Sequence, residues 1–176
     1  MITSDTALLM AAFVLGGTLS QWPLGWISDK IDRRIVIAAV SFGAVTSGLA
    51  IGFGVVPAGW STFALAVVHG ALMIPIYALC ISHANDNVLN SRMVETSGGL
   101  LLAYSVGATL GPLTASLFMV GGNAGGLFFF IGLALLTLGI FAVYRLSVDT
   151  RDHRKSKGHF APTSAASPSV FPIEPD

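Results

Sequence analysis

GWISDKIDRR, residues Gly25 to Arg34, places five charged side chains in ten positions of a chain in which only 10% of residues are charged. Apolar runs flank it on both sides, so the medium that holds those runs decides the fold. The chain of 176 residues is 53% hydrophobic with a mean hydropathy of +0.76, whereas soluble domains carry roughly 25% charge. Five apolar stretches, near 6–28, 35–56, 61–83, 97–120 and 124–146, each approach the ~20 residues that carry a helix across about 30 Å of hydrocarbon. Lipid leaves an isolated strand's backbone groups unsatisfied, which favours helices, and the alternating segments of a membrane barrel are absent. The expected fold is an all-α membrane protein with five transmembrane helices over residues 1–146.

Residues 147–176 form a tail that opens with the basic run RDHRKSK and then turns rich in Pro, Ser and Ala. That composition cannot bury enough apolar surface to order itself, so a disordered tail is expected. The first residues, MITSD, lack the basic start of a secretory signal peptide. The single cysteine, Cys80, excludes an internal disulfide.

The positive charges alternate with the spans. Lys30, Arg33 and Arg34 lie in the first connector and Arg92 in the third, while Arg145, Arg151, Arg154, Lys155 and Lys157 lie at or beyond the last span. All nine therefore fall on one side of a five-pass topology, which the positive-inside bias assigns to the cytoplasm. The N-terminus then faces outward and the tail inward. A short basic run beside a membrane reads as contact with anionic lipid headgroups rather than with nucleic acid.

Polar residues divide the spans. The second and fifth contain no ionisable residue in their interiors, which suggests an outer supporting layer. The first contains Gln21, Trp22 and Pro23. The third carries His69, Met73, Tyr77 and Cys80 at helical spacing, and the fourth carries Ser105, Thr109, Pro112 and Ser116. Gln21, His69, Met73, Tyr77, Ser105 and Thr109 are thus candidates to line a cavity. The competing reading is that Ser and Thr bond their own backbone or a neighbouring helix. His69 can carry a proton, bind a solute, or sit as a neutral imidazole with one satisfied partner. Gly48 with Gly52, and Gly107 with Gly111, form G-x-x-x-G pairs that permit close helix approach. Pro112 removes a backbone donor at mid-span and invites a bend.

Within the charged turn, Gly25 permits close approach at a helix end. Asp29 can accept hydrogen bonds from helix N-terminal amides or pair with Arg33 or Arg34, and Arg34 can anchor the next span at the headgroups. A positive-inside turn explains Lys30, Arg33 and Arg34. It leaves the two aspartates unexplained, because acidic residues contribute little to orientation.

The turn resembles the G-x-L-[AS]-D-[RK]-x-G-R-[RK] loop of the major facilitator superfamily of secondary transporters, with Gly25, Ser28, Asp29, Lys30, Arg33 and Arg34 in matching positions. Ile27 replaces Leu, and Asp32 stands where the family usually has Gly. LGGTLSQWPLGWISD resembles the eighth span, while ISHANDN and VETSGGLLLAYSVGATLGPLTASLFM resemble the tenth and eleventh. GATLGP is similar to the antiporter G-x-x-x-G-P motif, which belongs to the fifth span. Spans two to six would give the same order of features; the degenerate loop and terminal tail favour spans eight to twelve.

The resemblance implies a partial helical bundle from a bacterial inner-membrane carrier of a small solute. In the family the loop Asp engages a helix N-terminus of the opposite half as a conformational latch, through dipole attraction and charge pairing. That helix is absent here, so a truncated half needing a complementary transporter half is expected. Approach of Asp29 to Ser97 and Gly98 is the second choice within the chain. Asp86 and Glu95 are read as solvated connector charges.

An intramembrane enzyme is disfavoured, since no G-x-S-x-G elbow accompanies Ser97 and His69. His83 with Asp86 supplies two metal ligands without a third. No ATP-binding motif and no cofactor are implied. A non-transporting membrane subunit, or a remnant retaining the fold, stays open as the alternative.

Overall fold

The computed structural model describes residues 3–55, 57, 59–86, 88, 92–119 and 125–149. The tail from residue 150 onward, including the whole basic run, lies outside the described residues. The elements are α1 (Thr3–Lys30), α2 (Arg33–Gly52), α3 (Trp60–Met73), α4 (Pro75–Asp86), α5 (Met93–Phe118) and α6 (Gly125–Asp149). Five spans are long and apolar enough to cross a membrane, with α3 and α4 together forming the third, Trp60–Asp86.

That third span was expected as one helix, and it is interrupted at Ile74. Pro75 has no N–H to bond the preceding turn. The break is slight, because Ile74 keeps helical angles (φ −63°, ψ −41°) and its amide still donates to Gly70 at 3.1 Å. The turn out of α2 is sharper. Gly54 adopts the left-handed region (φ +62°), while its amide donates to Ile51 and that of Val55 to Ala50. This pair of bonds satisfies the last carbonyls of α2 and stops the helix.

Packing reverses the expected layers. The second span, expected on the outside, is the most covered of the five, with 44% of its apolar window buried against 11% for the first and 6% for the fourth. Lipid tails are as apolar as leucine, so helices associate through close packing rather than hydrophobic exclusion. The small residues Ala38, Ser41, Ala44, Ser47 and Gly48 make α2 the helix that others can approach. It packs along α6 and against α3, and Val36, Ile37, Val40, Ile76, Leu79 and Ala142 complete the core around it.

Another close approach lies between α1 and α3. A Cβ at Gly16 would overlap the carbonyl oxygen of Val67, and one at Gly70 would overlap that of Phe13. Backbone meets backbone at both points. Of the two spaced glycine pairs, Gly48 meets the His69 ring and Gly52 meets Phe128. Gly107 and Gly111 differ from expectation: a Cβ at either would meet nothing within 4 Å. Helix α5 runs unbroken through Pro112 and packs mainly against α6, with a smaller contact to α4 among the described residues.

Gly70→Ala should therefore push α1 from α3 and destabilise the bundle by about 1–3 kcal/mol, the usual range for overpacking. Gly107→Ala should stay within about 0.5 kcal/mol of the parent, as surface changes do. Thermal unfolding of the two variants in one detergent checks the contrast.

Candidate functional site at the charged end of the bundle

The turn between α1 and α2 is two residues long, and Asp32 starts the second helix. Its carboxylate accepts the Arg34 amide at 2.9 Å, an N-cap bond that satisfies one of the free amides of the first turn. Asp32 has φ −59° and ψ 121°. The turn therefore needs no residue in the left-handed region, and an aspartate replaces the family's glycine with a cap.

Asp29 has a different task. Arg33 Nη2 donates to its Oδ1 at 2.8 Å, while Arg33 Nε reaches Asp86 Oδ2 at 2.7 Å. One guanidinium thus ties the last turn of α1, the first turn of α2 and the last residue of α4. Planar donors pointing in two directions suit arginine to this bridge. Asp86, expected as a solvated connector charge, is a member of the network. Asp29 turns to Arg33 rather than to Ser97 and Gly98 at the start of α5, where a Cβ on Gly98 would meet nothing within 4 Å.

Arg34 points the other way. It is 5% exposed, and its Nη1 donates to the Arg145 carbonyl at 3.3 Å in the last turns of α6. A cation there meets the negative end of the helix dipole. Arg34 therefore locks α2 to α6 from inside, whereas it was expected to anchor at the headgroups. Lys30 lies over the Trp26 ring, 3.5 Å from its centroid, a cation–π contact. His83, one turn before Asp86, is within electrostatic reach of Arg33, Arg34 and Asp32.

Beside this network a cleft of about 240 Å³ opens between α1 and α4. Gln21, Gly25, Ser28, Asp29 and Arg33 line one side, and Pro75, Ala78, Leu79 and Ser82 the other. Gly25 was expected to permit close helix approach; within this chain it faces the open cleft, where a Cβ would meet nothing within 4 Å.

The other proposed lining residues do not share this cleft. His69 is 3% exposed. Its Nδ1 lies 3.0 Å from Ser47 Oγ, and its ring sits between Phe13 and Phe128 at 5.7 and 6.2 Å. The Ser47 hydroxyl proton has the Gly43 carbonyl as an acceptor at 2.9 Å, which leaves its oxygen free to accept from Nδ1–H of the imidazole. The expected polar stripe on the third span therefore divides: His69 turns into the helix junction, and Met73 packs against the core. Tyr77 alone is exposed, its ring tilted at 57° to that of Tyr104 of α5 with centroids 5.4 Å apart. Ser105 and Thr109 are exposed, yet their hydroxyls donate to Leu101 and Ser105 carbonyls of their own helix at 2.8 and 2.9 Å.

The two arginines should separate on substitution. Arg33→Gln breaks a network whose acidic partners are more than half exposed (66% and 52%), so it should cost no more than about 1 kcal/mol and less at high salt. Arg34→Ala removes a buried charged donor and should cost about 1.5–3 kcal/mol. Denaturant titrations at two salt concentrations read both effects.

The comparisons with known proteins agree with this architecture. The chain is 30% identical over 120 residues to the uncharacterised MFS-type transporter YcaD of Salmonella paratyphi B, and equally to those of Salmonella newport and Salmonella heidelberg. Each alignment covers 68% of this chain and 30% of the relative, so the chain matches less than a third of their length. No solved structure matches it. The family profile of the Major Facilitator Superfamily covers residues 3–173, and with five membrane-crossing helices and the charged turn in place, the chain belongs to that superfamily.

Proposed function

We propose that this chain is the C-terminal part, spans eight to twelve, of a secondary transporter that carries a small solute across the bacterial inner membrane. The observation that carries the reading is the Asp29–Arg33–Asp86 bridge at one end of the bundle. Asp29 stays 66% exposed while held by Arg33. A carboxylate fixed in this way suits a helix N-terminus of the opposite half, whose free amides and dipole attract it. Formation of that contact closes the charged end, and its rupture opens it. The exposed faces of α1 and α5 are the surfaces a complementary half would cover.

The described cations Lys30, Arg33, Arg34, Arg92 and Arg145 gather at this same end, while the turns at the other end carry no Lys or Arg. The charged end is therefore cytosolic by the positive-inside bias. Transport would draw on a solute or ion gradient, with the solute held near the membrane midplane between the halves.

Two measurements test the reading. In a Cys80→Ser background, Ser61→Cys should react with an impermeant maleimide from outside intact cells, and Ile31→Cys only after permeabilisation. The reverse pattern overturns the orientation. Co-reconstituted with the first seven spans of a full-length family member, the chain should support uptake of at least one solute from a labelled panel. Asp29→Asn should lower that uptake by about fivefold or more, the scale of a lost conformational coupling. Stable assembly without uptake of any solute would favour a non-transporting subunit.

A further inference from the structure

Asp86 is the last residue of α4, where the carbonyl end of the helix dipole repels a carboxylate and favours a cation. It is held there by a cation from another helix, Arg33 Nε at 2.7 Å in the first turn of α2. That ion pair joins α2 to α4 at the rim. A second basic side chain stands near the same carboxylate. His83 lies three residues earlier, in the last turn of α4, a spacing at which side chains of one helix meet.

The two bases differ in what they connect and in when they are charged. Arg33 answers Asp86 from another helix, and a guanidinium stays charged at every physiological pH. His83 answers it from the same helix, and an imidazole gains its charge between about pH 8 and pH 5. While His83 is neutral, Arg33 is the cation that offsets Asp86. Once His83 is protonated, Asp86 has a partner within α4, and that partner repels Arg33 and Arg34. Arg33 still keeps Asp29, 2.8 Å from its Nη2.

The other charges near α4 are committed elsewhere. On α2, Asp32 also attracts His83, but its carboxylate caps the helix by accepting the Arg34 amide. On α1, Asp29 is held by Arg33, and Lys30 lies over the Trp26 ring. Helix α3 brings His69, about 21 Å along the span from His83 by helical rise and enclosed beside Ser47. Helix α5 carries Arg92 and Glu95 at its start, and neither is among the charges acting on His83.

We infer that His83 is a proton-operated switch of the rim: its protonation draws Asp86 away from Arg33 and unties α4 from α2. A link between helices is exchanged for one within a helix, so the charged end loosens as pH falls and tightens as pH rises. Where that end faces the cytosol, cytosolic acid would favour its opening. This consequence rests on the transporter reading, whereas the exchange of partners does not.

The test uses the full chain in lipid nanodiscs, spin-labelled through Ile31→Cys in the turn and Asn85→Cys beside Asp86, in the Cys80→Ser background. Pulsed EPR distances at about pH 8 and about pH 5.5 bracket the imidazole titration. The short-distance population of the parent should fall about fivefold at the lower pH, the scale of one exposed ion pair. His83→Gln should keep the high-pH distribution at both values. His83→Lys, charged throughout, should show the low-pH distribution at both, and so should Arg33→Gln. A parent indifferent to pH, a His83→Gln response equal to the parent's, or a His83→Lys distribution that stays short at the higher pH would each overturn the switch. A pH response here without uptake in the co-reconstituted system would keep the switch and remove its role in transport. Uptake without a pH response would remove the switch and leave the transporter reading standing.

Discussion

Backbone contact between α1 and α3 is the constraint on which the bundle depends. In lipid, one apolar side chain gains little by exchanging a lipid tail for another side chain. Helices stay together where their shapes allow many short contacts, and those between α1 and α3 need a hydrogen in place of a methyl group at Gly16 and Gly70. With α1 fixed on α3, the small-residue face of α2 can fill the space beside α3 and receive α6. His69 sits at that junction. It touches Phe13 of α1, Ser47 and Gly48 of α2, and Phe128 of α6. A polar ring with Ser47 at its Nδ1 pins four spans in register.

The charged turn divides its work among neighbouring residues. Asp32 caps α2, Arg34 reaches inward to α6, and Arg33 joins Asp29 to Asp86. The first two are local and internal, so they hold whether or not another half is present. Arg33 and its carboxylates lie on the rim, in partial contact with water, where screening keeps each pair weak. Positive-inside bias accounts for the cations. The aspartates are accounted for by geometry: one satisfies amides and the other holds an arginine at the mouth of a cleft.

The five spans and their helical character were legible because hydrocarbon thickness and backbone satisfaction leave few choices. The charged turn was legible too, including Asp29 as a partner of Arg33. Layering was not. A count of ionisable residues placed α2 outside, although burial among membrane helices follows side-chain size more closely than polarity. The same rule explains the glycines: spacing flagged Gly107 and Gly111, which face open space, while the tight contacts at Gly16 and Gly70 lie on different helices and form no pair in sequence. Polar stripes misled in another way. Ser105 and Thr109 have carbonyls of their own helix within reach, so exposure alone does not make their hydroxyls ligands. Asp86, Tyr104 and the capping role of Asp32 depend on neighbours brought close by folding. Asp32 alone left a trace, as an N-cap residue type directly before a helical run.

The distribution of contact strength says which joint would move in a rocking carrier. The glycine contacts, the α2 core and the buried Arg34 bond are interior, and overpacking or truncating them costs kilocalories each. The Arg33 bridge is exposed and worth about 1 kcal/mol or less per pair. A force applied between two halves would therefore break contacts at the rim before it separated α1 from α3 or α2 from α6. The five spans would travel as one body, with α1, α4 and α5 presenting the moving face. On that face the rim network stands at the end. A load between the halves would thus reach the rim through the tilt of a stiff bundle, without any chain of rearranging side chains.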